Sequence, residues 1–353
     1  MSGEIKLALS YDDVLLVPKH SLIGSRSEVD LETNITPNIK IKLPLITVNM
    51  DTVTGLEMAI KIGQLGGLGF LPRFDTAEVQ AEKISKIKAA KVIAAAAIGC
   101  KNGFMDRAEK LVNAGAQILT LDIAHGHMQK SLDATSQMKQ RFGDKVAIIS
   151  GVVATYDGAK DLFKAGADSV RVGLGPGSIC TTRIVTGFGV PQVTALLDTA
   201  RAAREFKKTI LADGGTKNSG DIVKGLACGA CAVVIGSQFA GTDEAPGEII
   251  EVNGRMFKEY NGSTSQVEKE KQVLKDGTDK GDNYVKHVEG VAAFVPYKGP
   301  VEHVVDSMVA GVRSGFSYAG AHNIPELWEK AEFIQITSAG MHESTSHDVA
   351  LLK

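Results

Sequence analysis

The sequence predicts a (β/α)8 TIM barrel, and three observations support this prediction. Short apolar runs recur eight times between residues 43 and 235. Segments with helical spacing separate these runs, and glycines or polar residues follow directly after many of them. Strands that are apolar on both faces are typical of parallel sheets covered by helices, and eight strand-helix units close a barrel. A doubly wound open sheet is the alternative, which six or fewer strands would favour.

The predicted strands are short and continuously apolar. In chain order they are residues 43–48, 67–71, 92–98, 118–123, 146–153, 169–172, 209–211 and 232–235. The predicted helices have apolar residues at helical spacing; they are residues 56–65, 77–89, 105–113, 129–141, 157–165, 191–205 and 220–227, with a closing helix at 301–315. Residues up to about 42 show little periodicity, so we expect strands and loops outside the main core there.

Length and composition favour one soluble domain that spans residues 1–353. The chain has 353 residues with 44% hydrophobic content, which a single α/β barrel can use in one core. Its 39 basic and 41 acidic residues give a net charge of −2, which indicates neither a nucleic acid nor a membrane partner. No apolar run is long enough to span a bilayer, and the N-terminus lacks the apolar core of a signal peptide. A cytoplasmic protein is expected.

Residues 172–183, VGLGPGSICTTR, form the most unusual stretch of the chain. Its glycines would free backbone N–H groups to hold an anion such as phosphate, and Cys180 would stand beside that anion as a nucleophile. Most isolated cysteines are inert core residues, so composition alone does not decide the role of Cys180. Cys228 and Cys231 have the spacing of a redox motif, but their position at a helix-to-strand turn favours two small buried residues.

Unusual residues follow several predicted strands, at the ends where such barrels carry their active sites. They lie at residues 49–52, 72–74, 122–127, 213–215 and 236–237. Asp213 with its two glycines, Gly236, Ser237 and Ser178 would together hold a phosphate and a ribose, which favours a nucleoside monophosphate as ligand. Asp213 could instead cap a helix, and either histidine at 125 and 127 could be a buried structural residue.

A long insertion at residues 245–298 separates the last strand from the closing helix. Its charged middle, residues 268–282, is typical of a solvated mobile loop. Because it would lie above the active face, we interpret the insertion as a lid that excludes water. Glu289 and Gly290 would reach back over the cysteine loop, although an exposed acid is the alternative for Glu289. Residues 334–336 are expected to form a further strand, and the polar tail, residues 342–353, is expected to be disordered unless tied down.

The cysteine loop closely resembles that of the IMP dehydrogenase and GMP reductase family. The resemblance extends from residues 11–16, YDDVLL, to residues 346–349, SHDV. It implies that Cys180 attacks the C2 position of a purine, assisted by Thr182 and Glu289. It also implies nucleotide contacts from Asn49, Ser178, Asp213, Gly214, Gly215, Gly236, Ser237, Tyr260, Gly262, Ser263 and Gly290.

The resemblance also implies a dinucleotide cofactor, a monovalent cation and an oligomer. The positions that match the dinucleotide site are Ser25, Arg26, Asp122, Ile123, Ala124, Leu174 and Gly175. The backbone carbonyls of Gly175, Gly177 and Cys180 match a potassium site. Because the tail of one subunit commonly packs near its neighbour's cysteine loop in this family, a homotetramer is expected.

Several features favour the reductase, which converts GMP to IMP and ammonia with NADPH, over the dehydrogenase, which oxidises IMP to XMP with NAD. Dehydrogenases usually carry an Arg-Tyr pair in the lid that activates water, but this chain has no arginine between Arg255 and Arg313. Asn49 also resembles the reductases, and residues 73–90 have room for one helix only, so no regulatory insertion domain is expected. Further reductase-like segments are residues 72–74, 258–263 and 288–290.

Other segments resemble the dehydrogenases and keep that alternative open. These are residues 190–192, 295–299 and 343–348. Val152 and residues 71–72 depart from residues that many members carry on the cofactor side. Two further alternatives are a non-catalytic nucleotide-binding barrel, which the presence of all three catalytic residues disfavours, and an unrelated flavin-dependent barrel.

Overall fold

The computed structural model describes residues 5–276 and 286–346. Within these residues, eight parallel strands close into a barrel, in which β11 pairs with β4. The strands are β1 Val14–Leu16, β2 Thr33–Thr36, β3 Ile39–Ile41, β4 Leu45–Thr47, β5 Leu68–Leu71, β6 Ala95–Ile98, β7 Ile118–Asp122, β8 Ala147–Val153, β9 Ser169–Val172, β10 Thr209–Asp213, β11 Ala232–Ile235, β12 Ile249–Val252, β13 Arg255–Asn261, β14 Ala292–Pro296 and β15 Phe333–Gln335.

Helices follow the barrel strands and cover the outside of the barrel. They are α1 Leu56–Gln64, α2 Ala77–Ala89, α3 Phe104–Asn113, α4 Gln129–Phe142, α5 Tyr156–Lys164, α6 Thr182–Thr186, α7 Gln192–Phe206, α8 Ser219–Ala227, α9 Ser237–Ala240, α10 Gln266–Asp276, α11 Val301–Ala319, α12 Ile324–Lys330 and α13 Ser338–Glu343. The predicted (β/α)8 barrel is confirmed, and the open-sheet alternative is wrong because pairing of β11 with β4 leaves no free sheet edge.

Apolar residues on both faces of the strands hold the barrel together. Strands β5, β6, β9 and β11 are buried along their whole lengths. One face fills the barrel interior, where Phe70, Leu211 and Val234 belong to one buried cluster. The other face packs against the helices, several of which begin at a side chain that accepts a backbone N–H, as Thr76, Thr155 and Asn218 do.

The N-terminal hairpin formed by β2 and β3 closes one end of the barrel. Ile35 and Ile41 are 0% and 4% exposed and belong to the same buried cluster as Phe70. The Thr33 hydroxyl donates to the carbonyl of Cys231 at 2.8 Å, just before β11 begins, and the Thr209 hydroxyl donates to the carbonyl of Ile35 at 2.7 Å. The prediction that this segment lies outside the main core is therefore wrong, because its few apolar residues plug the barrel.

The insertion after β11 is largely ordered. Strands β12, β13 and β14 form an antiparallel sheet, and the part of the charged middle that the structure describes is helix α10. Glu268, Lys269 and Gln272 on this helix are buried. The prediction of a solvated loop is wrong for this part, because one face of the helix packs into the lid, and residues 277–282 lie outside the described residues.

The C-terminal elements extend beyond the predicted bounds. The closing helix α11 ends at Ala319 rather than at the predicted residue 315. It ends there because Gly320 adopts a left-handed conformation. The predicted strand at residues 334–336 is confirmed as β15, which pairs antiparallel with β1. In the tail, α13 ends at Glu343 with a capped first turn; residues 347–353 lie outside the described residues. None of the described helices is both long and apolar enough to cross a membrane.

Candidate active site

The cysteine loop begins where β9 ends and depends on two glycines. A Cβ atom at Gly173, where φ is 157°, would collide with the carbonyl oxygen of Asp213. A Cβ atom at Gly175, where φ is 80°, would meet the side chain of Arg183. Arg183 donates from Nη2 to the carbonyl of Val190 at 2.7 Å. The guanidinium of this residue therefore braces the loop from within.

Cys180, Thr182 and Glu289 form a chain of hydrogen bonds. The thiol of Cys180 donates to Oγ1 of Thr182 at 3.2 Å, and that hydroxyl donates to Oε2 of Glu289 at 2.8 Å. Cys180 is partly exposed. A thiol joined to a carboxylate through one hydroxyl can pass a proton along the chain, as nucleophilic and general acid-base catalysis require. The structure thus brings the three predicted catalytic residues together.

Backbone hydrogen bonds attach the lid to the cysteine loop. The Thr181 N–H donates to the carbonyl of Glu289 at 3.1 Å, and the Val291 N–H donates to the carbonyl of Ile179 at 3.0 Å. A further bond joins the Gly262 N–H to the carbonyl of Val291 at 3.0 Å. The position of Glu289 over the thiol is therefore set by main-chain groups of three segments.

Two adjoining cavities lie beside the cysteine loop. One of about 220 Å³ lies at the ends of β10 and β11, and one of about 200 Å³ lies under the lid at Cys180. They share Gly177, Gly214, Gly236 and Tyr260, so they form one groove. This groove is lined by ten of the eleven predicted nucleotide contacts: Ser178, Asp213, Gly214, Gly215, Gly236, Ser237, Tyr260, Gly262, Ser263 and Gly290.

Asn49 is the predicted nucleotide contact that does not line this groove. It is 2% exposed, and its side chain donates a hydrogen bond to Asp122. The Oδ1 atom of Asn49 is buried without a hydrogen-bond partner among the described residues. In this conformation Asn49 supports the carboxylate of Asp122, and its contact to the nucleotide remains a prediction.

Tyr260 joins the lid sheet to the end of the groove that Ser178 and Ser237 line. Burial raises the pKa of this phenol, while a hydrogen bond with Ser178 works in the opposite direction. A Cβ atom at Gly236 would clash with the Tyr260 hydroxyl, so only glycine at this position lets the phenol lie this close to the backbone. The phenol therefore remains a neutral hydrogen-bond donor at neutral pH.

A third cavity of about 400 Å³ lies at the ends of β5, β6 and β7, next to the lid helix. It is lined by the predicted dinucleotide residues Asp122, Ile123 and Ala124, and also by Arg73 and Gln272. An acid that can accept ribose hydroxyls, in a cavity of this volume, fits part of a dinucleotide.

The other predicted dinucleotide residues do not line this cavity. Ser25 and Arg26 lie beside helix α11, which follows β11 in the chain. In the barrel, β11 lies opposite β7, the strand that ends at Asp122. Leu174 pairs with Val190, and Gly175 packs against Arg183. Within one chain these four residues are separate from Asp122, so their role remains a prediction.

Arg171 is a site residue that the sequence reasoning missed. It lies within the apolar run that forms β9 and is 3% exposed. Its Nε and Nη2 donate to Oδ2 of Asp213 at 2.9 and 2.7 Å, and its Nη1 lies 3.7 Å from Oδ1 of Asp122. The available signal was the charge itself, because an arginine inside a buried strand requires a buried carboxylate nearby.

Lys269 is a second residue that the sequence reasoning missed. It lies on α10, is 5% exposed, and its ammonium donates to the carbonyl of His287. Burial lowers the pKa of Lys269, and the charge of Glu289 opposes that effect. The sequence presents Lys269 as one of many charges in a polar stretch, so only the fold shows that it is buried and that its charge interacts with Glu289.

Two of the other cysteines lie in the core, whereas Cys100 is partly exposed. Cys228 and Cys231 are 2% and 1% exposed, and burial raises the pKa of each thiol to about 12. The interpretation as two small buried residues at a helix-to-strand turn is confirmed. At the predicted potassium site, the carbonyl of Gly177 accepts the N–H of Cys180 at 3.1 Å, and cation binding there remains a prediction.

Comparison with known proteins agrees with the geometry of the groove. Residues 8–347 match the IMP dehydrogenase / GMP reductase domain. The chain belongs to this family. An inosine-5'-monophosphate dehydrogenase of Nitrosopumilus maritimus (strain SCM1) is 34% identical over 479 residues, which cover 99% of this chain and all of the relative. Proteins of the same name from Aquifex aeolicus (strain VF5) and Streptococcus pyogenes are each 34% identical, with coverage of 99% and 98% of this chain and of 97% and 96% of the relatives.

Proposed function

We propose that the chain is a GMP reductase, which converts GMP to IMP and ammonia with NADPH. The observation that carries the proposal is a Cys180–Thr182–Glu289 relay with no arginine to activate water. No arginine lines the cavity at Cys180 in the described part of the chain, and the sequence has none between Arg255 and Arg313. Arg183 lines the adjoining cavity, but its guanidinium donates to the carbonyls of Leu174 and Val190. An adduct on sulfur would therefore persist until it is reduced.

The residues of the groove have separate tasks in this proposal. The sulfur of Cys180, as thiolate, forms a bond to C2 of GMP. Glu289 and Thr182 then deliver a proton to the exocyclic amino group, so that the C2–N bond breaks and ammonia leaves rather than amide anion. General-acid assistance of this kind contributes about two to four powers of ten in rate. NADPH, when bound, supplies the hydride that reduces C2, and the C2–S bond breaks to return the thiolate.

Binding residues hold the nucleotide for this chemistry. Ser178, Ser237 and the phenol of Tyr260 offer donors for phosphate at the wide end of the groove, and Asp213 accepts the ribose hydroxyls. The dinucleotide would lie in the third cavity, where Asp122 accepts hydroxyls of its ribose. The backbone carbonyls of Gly175, Gly177 and Cys180 would hold a monovalent cation, for which we propose potassium, and the bound cation would order the loop.

The second candidate is an IMP dehydrogenase, which oxidises IMP to XMP with NAD. The names of the similar proteins favour it, as do residues 190–192 and 295–299 of the sequence. It uses the same attack of Cys180 on C2, but the adduct is then hydrolysed. In that case another group would have to activate water, and the candidate is Lys269, whose charge interacts with that of Glu289.

One assay run with two mixtures distinguishes the candidates. Purified protein with GMP and NADPH should consume NADPH and release ammonia and IMP, whereas IMP with NAD should give no XMP. Cys180→Ala should abolish turnover, while Cys228→Ala, a matched change of a buried thiol outside the groove, should retain it. Formation of XMP from IMP and NAD would assign the dehydrogenase reaction instead.

We further propose one catalytic domain over residues 1–353, with residues 245–298 as its lid, in a cytoplasmic homotetramer. The alignments to the relatives run over 479 or 480 residues, more than the 353 of this chain, which fits a chain without a regulatory insertion domain. Mass measurement in solution should give four subunits, and a monomer would contradict this.

A further inference from the structure

Arg171 joins two carboxylates with unequal contacts. Two of its donors bind one oxygen of Asp213, at 2.9 and 2.7 Å. Its Nη1 is 3.7 Å from Asp122, beyond hydrogen-bond distance, and has no hydrogen-bond partner among the described residues. The guanidinium is therefore fully engaged with Asp213 and incompletely engaged with Asp122.

The two carboxylates belong to different cavities. Asp213, at the end of β10, lines the groove beside Cys180, and Asp122, at the end of β7, lines the third cavity. Arg73 also binds Asp122, at 3.0 Å. Arg171 lies between these strands on β9 and is the cation that contacts both acids.

The charges of this cluster balance as a group but not at each site. Burial raises the pKa of Asp213, and the charge of Asp122 adds to that effect, while Arg171 opposes it. Burial would also raise the pKa of Asp122, but Arg73 and Arg171 outweigh it and the pKa lies below its ordinary value. Among the described residues, Arg171 is therefore the one cation that stabilises the charge of Asp213, whereas Arg73 and Arg171 both stabilise that of Asp122.

We propose that Arg171 is a shared counter-ion through which binding of the purine nucleoside monophosphate strengthens binding of the dinucleotide. The proposal rests on the assignment of the two cavities made above. Ribose hydroxyls that donate to Asp213 replace part of its interaction with Arg171. Nη1 of Arg171 can then form a hydrogen bond with Asp122. This bond holds the carboxylate of Asp122 in place, so that the dinucleotide's hydroxyls bind it with a smaller loss of conformational entropy.

The first test uses the unaltered protein with IMP and NADPH. This pair is unreactive under both candidate functions, because the dehydrogenase needs an oxidised dinucleotide and the reductase needs an amino group to expel. Calorimetry should show that saturating IMP lowers the Kd of NADPH by about fivefold or more, and that NADPH lowers the Kd of IMP by the same factor. Independent binding of the two ligands would overturn the proposal.

The second test replaces the bridging guanidinium. In Arg171→Lys, a compact ammonium on a flexible stem keeps the charge but cannot span both carboxylates, so the coupling should fall below about twofold. Arg141→Lys is the matched control, because Arg141 pairs with Glu109 on the surface at 2.6 Å, far from both cavities. Coupling in Arg171→Lys equal to that of the control would overturn the proposal.

The third test removes the charge of Asp213 and serves if Arg171→Lys does not fold. With Asp213→Asn, Arg171 has one carboxylate left, so NADPH should bind more tightly without IMP, approaching its Kd in the unaltered protein with IMP present. If Arg171 had only a structural role, Asp213→Asn would not tighten NADPH binding. An unchanged Kd of NADPH in this variant would overturn the proposal. Failure of the proposed function is distinguishable, because formation of XMP from IMP and NAD would show it directly, and the coupling is then measured between IMP and NADH.

Discussion

Thr182→Val is the most direct test of the hydrogen-bond relay. Valine matches threonine in shape but replaces the hydroxyl, so both the 3.2 Å bond from Cys180 and the 2.8 Å bond to Glu289 are lost. The lid should remain in place, because the bonds from Thr181 to Glu289 and from Val291 to Ile179 are between backbone groups. The change therefore removes proton transfer while it preserves the groove.

The expected loss follows from the task of the hydroxyl. General acid-base assistance contributes about two to four powers of ten, which is about 2.7 to 5.4 kcal/mol of transition-state stabilisation. The turnover number should fall by this factor, as measured by NADPH absorbance with GMP. The Kd of GMP should remain within about threefold of the original, because Ser178 and Ser237 are unaltered.

Thr181→Val is the matched control for this experiment. Thr181 precedes Thr182, and its side chain makes no capping hydrogen bond, while its N–H contacts Glu289 whatever the side chain is. Its turnover should stay close to that of the unaltered protein. Equal turnover of the two valine variants would refute the relay, whichever of the two candidate reactions the protein catalyses.

Two further predictions follow from the buried thiols and the lid lysine. Under native conditions iodoacetamide should modify Cys180, and bound GMP should protect it. Cys228 and Cys231 should not react, because burial raises the pKa of each thiol to about 12. Mass spectrometry of the peptides checks this, and rapid labelling of either buried thiol would contradict it. Lys269→Met should lower kcat about tenfold, equivalent to about 1.4 kcal/mol, while Lys271→Met, on an exposed part of the same helix, should not. Burial lowers the pKa of Lys269 in the folded protein. The buried ammonium therefore destabilises the folded state below that pKa, and this destabilisation disappears as the pH rises towards the pKa of lysine in the unfolded chain. Lys269→Met should thus unfold at an equal or higher temperature at neutral pH, with the difference shrinking at alkaline pH, and a lower unfolding temperature would refute this.

The barrel could be predicted from the sequence because its strands are buried on both faces. Such strands appear as continuous apolar runs, and the run at residues 232–235 matches β11 residue for residue. The lid sheet could not be predicted in the same way. Along β14 exposed and half-buried residues alternate, and its pairing with β13 depends on contacts across residues distant in the sequence.

The candidate site was predictable where glycine and cysteine chemistry is local to one loop, as at Gly173 and Cys180. Arg171 and Lys269 were not, because each acts through a carboxylate far away in the chain. Asp213 is 42 residues from Arg171, and their contact exists only because β9 and β10 are neighbours in the barrel. Local patterns identify the nucleophile, whereas closure of the barrel assembles the charges around it.

The main-chain attachment of the lid to the cysteine loop has a consequence for how reactions can diverge on this scaffold. Since backbone hydrogen bonds of Thr181 and Val291 attach the lid to the cysteine loop, lid side chains other than Glu289 can be exchanged without displacing Cys180. A substitution that introduced a water-activating base could then redirect the fate of the sulfur adduct from reduction to hydrolysis. One architecture can in this way serve opposite directions of purine interconversion.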